Sequence, residues 1–275
     1  ACLAGIKAGD VIDAIDGVHI ENAHALVTFL GKSHSSSITI SCTGSGGIKK
    51  TVRMGKKPVP NMPGPVYASM VIAPNGSRIA YISIEHFDDI DIAKDIASFL
   101  SQEDDNGGIG GIILDLRING GGSISSLTTS ISPFVRGPLL ITTSRDGTVT
   151  HIDADENTIF RGGQPPIAIL ISHNTASAAE LFAGILKGRC HATLIGETTT
   201  GLVDIATPLP LPNGSVLHLT TSRVSLANGV DPQWRKVGIR PDVFVAFSMK
   251  EYLKLQEDKA LNAAVQLITE KLNGR

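Results

Sequence analysis

The sequence predicts an α/β fold in which a core with a mainly parallel sheet follows a small β-rich module. Two observations indicate this order. From residue 66 onward, short apolar runs alternate with segments whose apolar residues recur at helical spacing, a pattern typical of parallel strands joined by helices. Before them, the proline-rich segment Lys57–Pro65 predicts a semi-rigid linker. We therefore expect a module of residues 1–56, a linker of residues 57–65 and a core of residues 66–275.

The composition excludes several classes of partner. The net charge is −2, with 42% hydrophobic and 18% charged residues, so the chain has apolar material for a sizeable core and no basic excess for nucleic acid. No apolar run approaches the roughly 18 residues of a membrane span. The eight histidines and three cysteines show no metal-binding spacing, so we expect neither a metal site nor a cofactor. The chain starts at Ala1 without a signal-peptide pattern and reads as the later part of a longer precursor.

The first module carries one long motif, AGIKAGDVIDAIDG, at residues 4–17. A predicted helix at Asn22–Leu30 and predicted strands at Ser37–Cys42 and Ile48–Arg53 follow it. The motif resembles the latter part of a PDZ domain, a family that binds a peptide as an added strand beside its second helix. This resemblance implies that the helix at Asn22–Leu30 lines such a groove, and that the family's carboxylate-binding loop and peptide-receiving strand precede this chain. The alternative is a small β-rich module without a ligand.

The core begins with a predicted hairpin, because two strand-like runs flank the turn Pro74–Gly76. Apolar residues at helical spacing predict two amphipathic helices, one after the hairpin and one near the carboxyl end of the chain. Between them, buried strands alternate with polar or glycine turns, and the turn Asn119–Ser123 opens another helix. The predicted strands are Val66–Ile72, Ser77–Ile84, Gly110–Arg117, Leu139–Thr143, Ile167–Ile171, Thr193–Glu197 and Ser215–Val224, and the two amphipathic helices are Ile92–Leu100 and Lys250–Leu272.

One strand–turn–helix stretch organises the core. The five apolar residues Ile167–Ile171 predict a buried strand, polar residues break the run, and helical spacing resumes at Leu181. Ser177 therefore lies at a strand-to-helix corner, where unpaired backbone N–H groups and the helix dipole favour negative charge. A nucleophile whose reaction creates an oxyanion suits that corner. The alternative is a helix cap, because Ser177-Ala-Ala-Glu180 fits the S-x-x-E capping box and Thr175 is a second cap candidate.

Four segments of the core line up in order: IAYISIEHF at residues 79–87, GIILDLRINGGG at 111–122, TASAAE at 175–180 and VGIRPDV at 237–243. Together with the first module, they resemble the carboxyl-terminal processing (tail-specific) serine protease family. The resemblance implies that Ser177 is the nucleophile. It also implies that the Ala178 amide and the glycine turn Gly120–Gly122, chiefly Gly121 and Gly122, form the oxyanion hole, where backbone must approach the substrate carbonyl closely.

The chain departs from the family's pattern at the general base. The family usually reads GExTxGKxxxQ after the serine helix, and its lysine takes the serine proton while the glutamine orients the lysine. Here Leu202 stands at the lysine position and Ala206 at the glutamine position, and a leucine side chain accepts no proton. Histidine as a residue type, with a pKa of about 6.5, suits the role. His86 follows a strand that lines the family's cleft and is the candidate base, with His173 and His218 as further candidates.

The resemblance implies hydrolysis of peptide bonds in C-terminal regions of proteins or peptides, by a serine-type peptidase with an atypical base. It also implies an exported protein, in the periplasm, outside the cell or in a plastid lumen. Two rival hypotheses remain open at this point. One is a base supplied from outside this chain, and the other is an inactive homologue that binds a peptide or ligand as a scaffold. An esterase is a third function, but the chain lacks the G-x-S-x-G elbow. Asp115 and Arg117 match the family's LDLR strand, where we expect a structural pair.

Overall fold

The structure is a computed structural model, and it describes residues 5–7, 9–21, 25–26, 29–30, 35, 37–44, 47–55, 64–89, 91–155, 159–160, 165–212, 214–247 and 257–274. The chain divides into two units, one of residues 1–62 with 248–257 and one of residues 63–247 with 258–275. Residues 57–63 of the expected linker lie outside the described residues. The expected domain boundaries stay a prediction.

The smaller unit contains an antiparallel sheet. Its strands are β1 (Val11–Ile15), β2 (Val18–His19), β3 (Ser37–Thr43) and β4 (Lys49–Gly55). They lie in the order β2-β1-β3-β4. Every second residue of β3 is buried, as expected of a strand with one face on a core. These residues are Ile38, Ile40 and Cys42, and together with Ile15 of β1 they form the core of this unit.

The predicted strands of this unit are confirmed as β3 and β4. Of the predicted helix Asn22–Leu30, residues 25–26 and 29–30 are helical, and the other residues lie outside the described part of the chain. The identification of this unit as part of a PDZ domain stays a prediction.

The larger unit is built around a six-stranded sheet. Its strands are β5 (Val66–Ile72), β6 (Arg78–Ile84), β7 (Gly111–Asp115), β10 (Ile167–Ile171), β11 (Thr193–Gly196) and β14 (Val243–Phe244). The order is β14-β11-β10-β7-β6-β5, and neighbouring strands are parallel except for the hairpin of β5 and β6. Strands β7 and β10 are buried at every position, because side chains from both of their faces enter apolar cores. The predicted α/β fold with a mainly parallel sheet is confirmed.

Helices cover both faces of this sheet. They are α1 (Ile92–Asp105), α2 (Ile124–Ile131), α3 (Ala178–Cys190) and α4 (Lys259–Asn273). Ile112 and Leu114 of β7 share a core cluster with residues of α1, α2 and α3, whereas Ile113 between them shares one with Ala264 and Ile268 of α4. The alternation of side chains along the strand thus assigns three helices to one face and the C-terminal helix to the other.

A second, antiparallel sheet belongs to the same unit. Its strands are β8 (Gly137–Ser144), β9 (Val149–Ala154), β12 (Ile205–Pro210) and β13 (Val216–Leu226), in the order β12-β13-β8-β9. Sequence reasoning did not predict β9. Its residues are mostly exposed and mixed in polarity, so they give no apolar period by which a strand is recognised.

The predicted C-terminal helix does not run without interruption into Lys259, because Glu257 and Asp258 are not helical. Helix α4 begins at Lys259, because Asp258 has extended backbone (φ −95°, ψ 92°) and its carboxylate accepts a hydrogen bond from the Leu261 N–H at 3.0 Å. Residues 250–256 of the predicted helix lie outside the described residues. Among the described residues, no helix is long and apolar enough to cross a membrane.

Candidate active site

Ser177 lies at the predicted corner between strand β10 and helix α3, which begins at Ala178. Its backbone has φ 56° and ψ −123°, a conformation that residues other than glycine rarely adopt. Such a conformation costs on the order of 1–3 kcal/mol and persists only where surrounding contacts impose it, as they do at many active sites. The half-buried Ser177 is therefore held in a strained conformation at the start of a helix.

Hydrogen bonds to the segment after β7 hold this corner. The Thr175 hydroxyl donates to the Leu116 carbonyl at 2.8 Å and accepts a bond from the Ser172 N–H at 3.0 Å. The Ala176 N–H donates to the Asn119 carbonyl at 3.1 Å. Because its buried hydroxyl has these two partners, Thr175 is not the cap of α3.

Glu180 makes one half of the predicted capping box. Its carboxylate oxygen Oε2 accepts a hydrogen bond from the Ser177 N–H at 3.1 Å. The Glu180 N–H donates to the Ser177 carbonyl at 2.9 Å, so the backbone satisfies the amide that a capping hydroxyl would bind. The cap and the nucleophile are therefore compatible interpretations, since the glutamate supports the helix end while the corner presents Ser177.

Gly121 lies directly against Ser177. Its φ is 107°, and a Cβ atom at this position would lie 2.7 Å from the Ser177 Cβ and 2.9 Å from the Ala176 carbonyl oxygen. Only glycine fits this approach without displacing backbone. The Gly121 N–H donates to Asn119 Oδ1 at 2.8 Å, and its carbonyl accepts from the Phe87 N–H at 2.7 Å. Gly121 therefore supplies close contact at the corner, and its own amide is already occupied.

Two other amides near the corner have no acceptor among the described residues. Ala178 is the first residue of α3, so its N–H has no partner within the helix. Gly122 has φ 142°, is exposed, and pairs with Phe87 in a parallel bridge that uses the N–H groups of Phe87 and Ser123 instead of its own. These two N–H groups remain available as donors to a developing oxyanion.

Asn119 is a site residue that sequence reasoning missed. It is fully buried. Its side-chain amide donates to the Ile84 carbonyl at 3.1 Å while its side-chain oxygen accepts from Gly121, so it connects the end of β6 to the glycine turn. An asparagine immediately before three glycines is the only sequence signal, and that signal also fits an ordinary turn.

The backbone at His86 runs beside the glycine turn. The next residue, Phe87, exchanges hydrogen bonds with Gly121 and Ser123, and a Cβ atom on Gly122 would lie 2.3 Å from the Phe87 carbonyl carbon. The His86 side chain is 44% exposed, and its Nδ1 accepts from the Asp88 N–H at 3.2 Å. A neutral imidazole that accepts at Nδ1 carries its proton on Nε2, so its tautomer must change before Nε2 can accept a serine proton.

The other two histidine candidates have different surroundings. The exposed His173 has its Nδ1 at 3.2 Å from Glu197 Oε2, and its carbonyl accepts from the Thr200 hydroxyl. His218 lies opposite Pro208 on the exposed strand pair of β12 and β13. Of the three histidines, His86 is the one whose chain neighbour bonds to the glycine turn.

Leu202 and Ala206, at the positions where the family's lysine and glutamine are expected, are both exposed. Leu202 is 63% exposed, and its N–H donates to Glu180 Oε2 at 2.8 Å. Ala206 is part of β12. The loop that bears Leu202 is thus fixed to the helix of Ser177, although its side chain has no proton-accepting group.

Asp115 and Arg117 form the structural pair that the sequence predicts. The Arg117 guanidinium bonds to Asp115 at 2.6 Å and to Asp258 at 2.7 Å, and the Tyr81 hydroxyl donates to Asp115 at 2.8 Å. Burial raises the pKa of Tyr81, and the negative charge of Asp115 raises it further. Burial acts to raise the pKa of Asp258, but hydrogen bonds from Arg117 and Leu261 outweigh it, so that pKa is lowered. This network joins the end of β7 to the start of α4.

Comparisons with known proteins agree on one family. A family model described as peptidase family S41 matches residues 78–245. The C-terminal processing peptidase of the Tetradesmus obliquus chloroplast is 28% identical over 87% of this chain and 53% of its own length. The carboxyl-terminal-processing protease of Picosynechococcus is 30% identical over 97% of this chain and 64% of its own length. The chain thus spans between about half and two-thirds of the length of these two relatives.

A solved structure supports the same relationship. The photosystem II D1 C-terminal processing protease superposes with a TM-score of 0.58 and is 27% identical, over 89% of this chain and 65% of that protein.

No group of three or more histidine, cysteine, aspartate or glutamate side chains in the described part of the chain is arranged to hold a metal ion.

Proposed function

The chain belongs to peptidase family S41, and we propose that it contains the catalytic region of a serine-type peptidase that cuts proteins or peptides in their C-terminal regions. Ser177 is the nucleophile in this proposal. The observation that carries it is the strained backbone of Ser177, which is held against Gly121 at the start of α3. A fold gains nothing from such strain at a half-buried serine unless the exact direction of its side chain matters.

The proposed reaction is acyl transfer. The Ser177 hydroxyl oxygen attacks the substrate carbonyl carbon, and its proton passes to the general base. The N–H groups of Gly122 and Ala178 donate to the oxyanion, a contribution that is worth about 10²–10³ in kcat per donor in other serine proteases. The base returns the proton to the leaving amine as the C–N bond breaks. Water then attacks the acyl carbon and gives its proton to the base, and the base protonates the Ser177 oxygen as the bond between that oxygen and the acyl carbon breaks.

We assign the general base to His86. The pairing of Phe87 with the glycine turn supports this assignment, because it brings the His86 backbone within one residue of the segment that contacts Ser177. The Asp88 carboxylate lies 3.8 Å from His86 Nδ1. If the ring turns so that Nδ1–H donates to this carboxylate, Nε2 becomes the acceptor that catalysis needs.

The relatives' names support the proposed substrate and location. The relatives are described as C-terminal processing peptidases, one of them chloroplastic, so we assign a protein or peptide C-terminal region as substrate and an exported or plastid location. Residues 1–56 would contribute the latter part of a PDZ domain, whose helix at Asn22–Leu30 lines the groove for the substrate peptide. The linker of residues 57–65 would join them to the peptidase core of residues 66–275.

A second function is an inactive homologue that binds peptides as a scaffold. The exposed aliphatic side chain of Leu202 favours it, because this position bears the proton-accepting lysine in the family's usual pattern. General-base help is worth typically 10²–10⁴-fold, so a chain without any base would turn over very slowly.

Peptide cleavage distinguishes the two functions. Unstructured peptides with apolar C-terminal residues are incubated with the wild-type chain and with Ser177→Ala, and products are identified by mass spectrometry. We expect cleavage near the C-terminus by the wild type and none by Ser177→Ala. Equal binding of the peptides by both proteins, without cleavage, would support the scaffold instead.

A further inference from the structure

The Glu180 carboxylate is fully buried next to the corner, and the proposed reaction gives it no chemical step. Within the described residues, four neutral groups donate to it. The Thr199 hydroxyl and the Gly201 N–H bond to Oε1 at 2.5 and 2.7 Å, and the N–H groups of Leu202 and Ser177 bond to Oε2 at 2.8 and 3.1 Å. A buried carboxylate is costly unless it is fully hydrogen-bonded, and here both of its oxygens are.

The four donors come from two separate segments of the chain. Ser177 is the corner residue, whereas the other three donors belong to the loop of residues 199–202. The nitrogens of Ser177 and Leu202 share Oε2, so they lie no farther apart than the two bonds end to end, about 5.9 Å. One carboxylate therefore fixes the loop against the nucleophile's own backbone.

The loop is held rigidly on its other side. The Thr199 hydroxyl also accepts from the Ile239 N–H at 2.7 Å, and the Lys236 N–H donates to the Gly201 carbonyl at 2.7 Å. A Cβ atom on Gly238 would lie 2.0 Å from the Thr199 carbonyl oxygen, so these segments are in close backbone contact. Movement of the corner relative to this loop must therefore break bonds to Glu180.

We propose that Glu180 is a positioning residue, which couples the Ser177 corner to the loop of residues 199–202. This inference rests on the proposed function, because the reactivity of Ser177 is what the coupling serves. Glu180 does not touch the reacting atoms. It sets the direction of the nucleophile by holding the Ser177 N–H and the adjoining loop on one rigid pair of oxygens.

Glu180→Gln tests the coupling with almost no change of shape. A glutamine has one oxygen and one NH₂ group, so it can accept bonds from only one of the two pairs of donors. The other pair then faces donor hydrogens. We expect hydrogen exchange at the amides of Ser177, Gly201 and Leu202 to accelerate at least about tenfold. We also expect labelling of Ser177 by a fluorophosphonate to slow at least about tenfold.

Ser132→Ala is the matched control. Its buried hydroxyl donates to the Thr128 carbonyl at 2.6 Å and accepts from the Asp155 N–H at 2.8 Å, so it also loses buried hydrogen bonds. We expect this variant to lower the melting temperature without changing amide exchange at Ser177 or Leu202. A purely structural Glu180 would behave like Ser132.

Each outcome decides the inference. Unchanged exchange at Ser177 and Leu202 in Glu180→Gln would overturn the coupling. Faster exchange with unchanged labelling would overturn the positioning role. If the wild type is not labelled at all, the proposed function fails. In that case amide exchange alone decides whether Glu180 couples the two segments.

Discussion

Gly121→Ala is the most specific test of the corner geometry. The new Cβ atom would lie 2.7 Å from the Ser177 Cβ, whereas ordinary van der Waals contact begins at about 3.4 Å. The turn and the corner must therefore separate by about 0.7 Å. The φ of 107° adds a further energetic cost to the substitution, because alanine at positive φ costs roughly 1–2 kcal/mol and often more outside the left-handed helical region.

The separation changes reactivity more than it changes the fold. A displacement of about 1 Å at reacting groups can lower a rate about 10²-fold. For a shift of about 0.7 Å we expect fluorophosphonate labelling of Ser177 to slow by roughly 10- to 100-fold. Overpacking typically costs about 1–3 kcal/mol, so we expect a lower melting temperature in a variant that still folds. The rate of labelling is measured by quenching the reaction at several times and quantifying the adduct by mass spectrometry.

Gly120→Ala is the control within the same turn. Gly120 is exposed, has no atom within 4 Å of the position of a Cβ, and does not have a positive φ. We expect its labelling rate to stay within about twofold of the wild type. The reasoning is refuted if Gly121→Ala reacts as fast as the wild type, or if Gly120→Ala slows by the same factor.

Three further predictions concern the base and the ion-pair network. His86→Gln should slow labelling of Ser177 by about 10²-fold or more, while His173→Gln keeps the wild-type rate; equal rates in the two variants would remove His86 as the base. Leu202→Lys should speed labelling at pH 9, because the Leu202 N lies within about 5.9 Å of the Ser177 N and an unprotonated amine can then reach the hydroxyl, whereas an unchanged rate would show that the loop does not face it. Asp258→Asn should lower the free energy of unfolding at pH 7 by about 1–3 kcal/mol through the loss of a charged partner of Arg117. Folding lowers the pKa of Asp258 below its ordinary 3.8, so the difference in unfolding free energy between the wild type and Asp258→Asn should shrink as the pH falls below that value. Urea unfolding at several pH values measures this difference, and a difference that does not change with pH would contradict the assigned cause.

The corner itself was predictable because its signals are local. The apolar run of β10 and the helical spacing after it place Ser177 at the junction without reference to any other segment. The structural pair of Asp115 and Arg117 was also predicted, from the resemblance of the LDLR strand, although its partner Asp258 was not.

The other features depend on contacts between distant segments. The local sequence indicates a capping box at Glu180 and a turn at Asn119, but their other hydrogen bonds reach residues up to 35 positions away and are not visible in any short window of sequence. The path of the chain from His86 along the glycine turn depends on the parallel pairing of β6 with β7. The predicted C-terminal helix runs through the N-cap at Asp258, because the apolar spacing continues across that residue and gives no sign of the boundary.

Covalent labelling of the wild-type chain tests the central claim most directly. The folded protein is treated with a fluorophosphonate between pH 6 and 9, and the modified residue is located by peptide mass spectrometry. If Ser177 is a reactive nucleophile, one adduct should form, on Ser177, and it should be absent from Ser177→Ala. The rate of labelling should rise with pH as an imidazole base loses its proton. A folded chain that forms no adduct on Ser177 at any pH in this range would contradict the claim and favour the inactive homologue that binds peptides as a scaffold.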